Sequence, residues 1–119
     1  KEVLARIKGR LRRPHRPESL SFGDIKIDLI NLLVHCRDGL VELTQTEFRL
    51  LYLLIKESLT QPGAIIDRDS IITFVWPQDH ESVYPRTLST HMTNLRKKLG
   101  SEKVKFNSIR QSGFQLELV

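Results

Sequence analysis

The chain reads as an α+β domain, with short strands first, three helices next and a β-hairpin last. Three observations predict this. Ile25, Ile27 and Leu29 alternate with Lys26, Asp28 and Ile30, the period of a half-buried strand. Residues 84–100 (YPRTLSTHMTNLRKKLG) place Leu88, Met92, Leu95 and Leu99 in one stripe at helical pitch. KVKFNSIR and FQLELV flank Gln111-Ser112-Gly113 and read as two strands joined by a turn.

Taken in order, residues 1–13 (KEVLARIKGRLRR) carry Val3, Leu4, Ile7 and Leu11 at helical spacing with basic residues between them. Pro14 and Pro17 break any helix there, so residues 14–19 read as a linker and residues 20–119 as the domain. A disordered basic tail is the alternative reading of the first 13 residues. Leu20 to Leu43 is strand-like, with turn signals at Gly23-Asp24 and Asp38-Gly39, and predicts an antiparallel sheet of three or four strands. Thr44 and Glu47 form a T-x-x-E capping box before an apolar run, so the first helix starts there and buries Phe48, Leu51, Leu54 and Ile55. Asp67 is the expected N-cap of the second helix, which carries Ile71, Ile72, Val75 and Trp76 until Pro77 stops it. A loop then leads into the third helix. The second and third helices make a helix-turn-helix variant, and the terminal hairpin makes a wing beside it.

Charge is unevenly placed. Residues 1–18 hold seven Lys or Arg and two acids, residues 19–85 five and ten, and residues 86–119 seven and two. An acidic middle is thus joined to a basic C-terminal third, a polarity that can orient an approach to a polyanion. Charge runs are often only solvated faces, but here the run coincides with a helix face free of acids. Opposite the leucine stripe lie Arg86, Thr90, Thr93, Asn94 and Lys97, all cationic or hydrogen-bonding. A helix made only for solubility mixes signs, so this face suits phosphates and base edges.

The candidates follow from chemistry. Asn94 can pair in bidentate fashion with adenine in a major groove; a solvent-facing amide is its bland reading. Thr90 and Thr93 suit a thymine methyl or a phosphate. Arg86, Lys97 and Lys98 suit phosphates, while Arg96 lies nearer the core stripe and equally suits an intramolecular ion pair. Thr87 can bond a phosphate or cap the helix. Arg110, at the wing tip, suits a narrow minor groove or plain solvent.

Three segments resemble the effector domain of OmpR/PhoB-type bacterial response regulators: LTQTEFRLL (43–51), RDSIITFVW (68–76), and YPRTLSTHMTNLRKKLG with SIRQSGFQL (108–116). The resemblance covers nearly everything from about residue 20 onward and implies a winged helix-turn-helix that binds double-stranded DNA to regulate transcription. It further implies tandem dimers on direct repeats, a sensor histidine kinase acting through a receiver domain outside this chain, and a role for residues 1–13 as that receiver's last helix. By resemblance, His91 and the Trp76 indole would contact phosphates, and Pro77, Gln78, Asp79, His80, Glu81, Ser82 and Val83 would form a loop that touches RNA polymerase. The chain departs from the pattern at Pro85, Ser89, Thr90, Asn94 and Gln111, departures that bear on the target sequence more than on the mode of binding.

Other classes find little support. The four histidines are scattered and one cysteine, Cys36, gives no metal-ligand spacing, so no cofactor or metal is expected. No nucleophile elbow, phosphate-cradling glycine loop or H-E-x-x-H points to an enzyme. No apolar run approaches the length of a membrane span, and the lone cysteine suits a reducing cytoplasm. The start at Lys1 leads us to expect a piece of a longer protein. The rival reading is a winged-helix protein-interaction module that does not bind DNA.

Overall fold

Strand alternation sorts the first sheet into two faces. The computed structural model describes residues 19–78, 85–110 and 112–119. The segment 1–13, linker positions 14–18, loop positions 79–83, Tyr84 and Gln111 lie outside the described residues. Strands β1 (Ser19–Phe22), β2 (Ile25–Asp28), β3 (Leu33–Cys36) and β4 (Gly39–Val41) form an antiparallel meander in sequence order. Phe22, Ile25, Ile27, Val34 and Cys36 face the core, whereas Lys26, Leu33 and Leu40 face outward. Cys36 is a core residue; burial pushes its thiol up from the ordinary value.

The second hairpin differs from the expected Asp38-Gly39 turn. Cys36 pairs with Gly39, so the two central residues are Arg37 (φ 55°) and Asp38 (φ 65°). In this register Val34 lies opposite Val41 and His35 opposite Leu40. A two-residue loop of this hand requires positive φ at both central positions, which Arg37 and Asp38 accept despite their side chains.

Helix α1 (Gln45–Thr60) begins with the capping box read from the sequence. The Thr44 hydroxyl accepts from the Glu47 amide at 3.2 Å, and the Glu47 carboxylate accepts from the Thr44 amide at 3.0 Å. Its buried surface is wider than expected: Leu50 and Leu53 join Leu51, Leu54 and Ile55, while Phe48 is only partly buried. The width follows from its central place, packed against β1, α2, α3 and the last strand.

Strand β5 (Ile66–Asp67) was not expected. Asp67 then caps α2 (Arg68–Val75), accepting from the Ser70 amide at 3.2 Å, and Trp76 ends that helix ahead of Pro77. Helix α3 runs Pro85–Leu99, with proline at its first position and Gly100 (φ 58°) after its last. Strands β6 (Val104–Ile109) and β7 (Gly113–Leu118) form the wing. Ile109 pairs with Gly113, so the wing loop is residues 110–112, one residue earlier than the sequence suggested.

β7 lies between β5 and β6, which makes the wing part of a three-stranded sheet. Gly113 lies opposite Asp67, where a Cβ would fall 1.9 Å from the Ile66 carbonyl oxygen. Only glycine lets the two backbones come together there. Gly113→Ala should therefore lower stability by about 3 kcal/mol, the upper end of overpacking costs. Urea denaturation measures this, and an unchanged midpoint would show that β5 and β7 separate freely.

Candidate nucleic-acid interface

Leu88 and Leu95 are completely buried, and Met92 and Leu99 nearly so, which confirms the inward stripe of α3. Rotation by half a turn brings Arg86, Thr90, Asn94 and Lys97 to the surface, all exposed, in steps of three or four residues. Thr87, His91 and Thr93 sit half-buried along the borders of that face. No carboxylate lies anywhere on α3. Arg96, Lys97 and Lys98 crowd its last turn, where the helix dipole favours cations.

Two of the border residues meet neighbouring elements. The His91 ring lies 5.5 Å from that of Trp76, tilted by 49°, so the end of α2 braces the middle of α3. Thr93 lines a cleft of about 120 Å³ between α3 and the wing, together with Ser89, Met92, Arg96, Phe106, Ser108 and Phe114. Arg110, the first residue of the wing loop, is exposed. Of the expected polymerase loop, Pro77 and Gln78 are exposed and the remainder lies outside the described residues.

Lys98 has a different partner from the one its charge suggested. Its ammonium lies 2.7 Å from Glu47 Oε1, the same carboxylate that closes the capping box. Arg96, which the sequence offered for an internal ion pair, is exposed at the cleft. Burial alone would raise the Glu47 carboxyl, but the hydrogen bonds from Lys98 and Thr44 outweigh it and hold the group below its ordinary value.

Sequence reasoning missed Arg68, Ser89 and Ser108. The guanidinium of Arg68 lies over the Phe114 ring, with Cζ 5.4 Å from the centroid, and its Nε is buried without a partner among the described residues. A cation in the first turn of a helix opposes the dipole, and that was the available signal. Ser89 and Ser108 reach the cleft from opposite walls, and only the packing of helix on wing reveals it.

A family model described as the C-terminal part of transcriptional regulatory proteins matches residues 38–116. The chain belongs to that family, the OmpR/PhoB type. Among curated relatives, the phosphate regulon regulatory protein PhoB of Rhizobium meliloti is 37% identical over 122 residues, covering 98% of this chain and 51% of the relative. BaeR of Escherichia coli is 33% identical, covering 92% of this chain and 45% of the relative. The chain thus spans about half the length of these proteins. The DNA-binding domain of Klebsiella pneumoniae RstA, solved in complex with the RstA box, is 25% identical with a TM-score of 0.68 over 85% of this chain and 98% of that one. The DNA-binding domain of CpxR from E. coli, 24% identical, has the same fold with a TM-score of 0.69 over 84% of this chain and 96% of that one.

The Lys98–Glu47 pair yields a pH-dependent expectation. Because the folded-state value of Glu47 is lowered, the stability it contributes is fully present above the unfolded carboxylate value and is lost as pH falls through the folded one. Glu47→Gln keeps an acceptor for the Thr44 amide and removes the charge. It should cost roughly 1–3 kcal/mol near neutral pH and converge on the parent at acid pH. Denaturation over a pH series checks this, and a constant offset between the two proteins would contradict it.

Proposed function

We propose that this domain binds double-stranded DNA sequence-specifically, as the effector of a two-component response regulator. One observation carries the reading: a helix face free of carboxylates stands exposed over a buried leucine stripe. Membership of a transcription-regulator family supports it, as does the likeness to a domain solved with its DNA box.

In this reading α3 lies in the major groove. Asn94 reads a base edge, with Thr90 and Thr93 against thymine methyls or the backbone. Arg86, Thr87 and Lys97 hold phosphates, joined by His91 and the Trp76 indole at the border. Arg96, Ser89 and Ser108 offer a further phosphate seat in the cleft between helix and wing. Arg110 enters the adjacent minor groove. Lys98 remains with Glu47 and supports the helix from behind.

We place the contacts with other proteins largely outside the described residues. Residues 1–13 are the last helix of a receiver domain addressed by a sensor kinase, and residues 14–18 link it to the effector, since Ser19 already belongs to β1. Two effectors bind direct repeats in tandem, and the loop over residues 77–83 meets RNA polymerase. The setting is the bacterial cytoplasm and the chain carries no catalytic role. Among the described residues, no helix is long and apolar enough to cross a membrane and no acid, histidine or cysteine cluster could hold a metal.

Salt titration of binding to a selected duplex tests the reading. Affinity should fall steeply with salt, with a slope of about −0.9 per neutralised phosphate. Lys97→Ala should reduce the slope by about one phosphate's worth, and Lys98→Ala should leave it unchanged. Asn94→Ala should relax base preference at one position, costing about 1–3 kcal/mol of discrimination there. A flat salt response, or no binding to any duplex at low salt, would favour the protein-interaction module instead.

A further inference from the structure

The exit of α3 into the wing is held from behind by the N-terminal sheet. The Asp24 carboxylate, in the β1–β2 turn, accepts a hydrogen bond from the Ser101 hydroxyl and another from the Glu102 amide at 3.0 Å. The Ser101 hydroxyl oxygen in turn accepts from the Val104 amide at 3.0 Å and the Lys103 amide at 3.3 Å, shaping the bend where helix becomes strand. Burial works against the Asp24 carboxylate, yet these donors outweigh it and hold the group below its ordinary value.

From the neighbouring turn, the Arg37 guanidinium donates to the Gly100 carbonyl at 3.2 Å and lies 3.5 Å from the Glu102 carboxylate. The Arg37 amide donates to the Asp24 carbonyl at 3.2 Å, so the two turns form one block. Gly23 seats that block against the wing, where a Cβ would come within 2.6 Å of Val104 Cγ2.

Arg37 is the telling member. Its backbone stands at φ 55°, a conformation that glycine or asparagine adopts at less cost. An arginine persists there at the expense of local strain, and its side chain reaches Gly100, the residue just beyond the DNA-facing helix. The pair it makes with Glu102 is too exposed, at 52% and 72%, to stabilise the fold much, so stability alone does not explain it. Orientation does.

We propose that Asp24 and Arg37 are positioning residues for DNA reading. From the N-terminal sheet they fix the exit of α3 into β6, and so set the angle between the helix in the major groove and the wing in the minor groove. The proposal rests on the DNA-binding reading above. Neither residue touches DNA; each acts through the alignment of Asn94 with Arg110.

A double-mutant cycle separates this role from simple stabilisation. Affinity for one selected duplex is measured for the parent, Arg110→Ala, Asp24→Ala and the double variant, and again with Arg37→Gly replacing Asp24→Ala. In the parent, Arg110→Ala should weaken binding by about tenfold. In either junction background, where the wing is misaligned, the same change should cost less than about threefold. Arg37→Gly relieves the backbone strain, so its melting temperature should stay at or above that of the parent while the coupling is lost. This variant carries the test even if Asp24→Ala fails to fold. Equal Arg110 penalties in all backgrounds would overturn the positioning role and leave the DNA-binding reading standing. Failure of the parent to bind any duplex would overturn both.

Discussion

Everything at the exposed surface of this domain depends on the division of α3 into two chemically opposed faces. Leu88, Met92, Leu95 and Leu99 give it an apolar seam that must be buried. Once they are inside, helical pitch leaves Arg86, Thr90, Asn94 and Lys97 no position but the surface. Core packing therefore both anchors the helix and aims its polar groups. A face that reads base edges has to be held still, because a hydrogen bond to a base weakens steeply with misalignment.

Several contacts hold that helix still. The Trp76 ring supports its middle through His91, Glu47 anchors its last turn through Lys98, and the two turns of the N-terminal sheet grip the residues just beyond it. The carboxylate of Glu47 closes the N-terminus of α1 and neutralises a cation at the C-terminus of α3 at the same time. That shared carboxylate places α1 and α3 under one constraint. On the far side, Gly113 lets β5 join β7, so the wing is one edge of a sheet tied to the N-terminus of α2 and not a free hairpin.

Much of this was legible in the sequence because the signals are local. The capping box spans residues three apart, the N-cap of α2 likewise, and the α3 stripe repeats within one helix. Contacts between distant residues were not legible. β5 is two residues long and is a strand only because β7 lies beside it. Lys98 looked like any cation on a basic helix until a partner 51 residues away was placed next to it. Residue preference points to an Asp38-Gly39 turn, whereas the pairing of Cys36 with Gly39 puts Arg37 and Asp38 at its centre, which no local signal gives. Similarly, Ser89 and Ser108 line one cleft only because the wing folds against the helix.

The central claim is that the outward face of α3 is the surface that meets DNA. Amide and side-chain NMR shifts, followed as a selected duplex is added to the domain, test it most directly. The account predicts large changes at Thr90, Asn94, Lys97 and Arg110, with little change at Lys26 and Leu40 on the outer face of the sheet. Changes concentrated on that sheet, with the helix face silent, would contradict it.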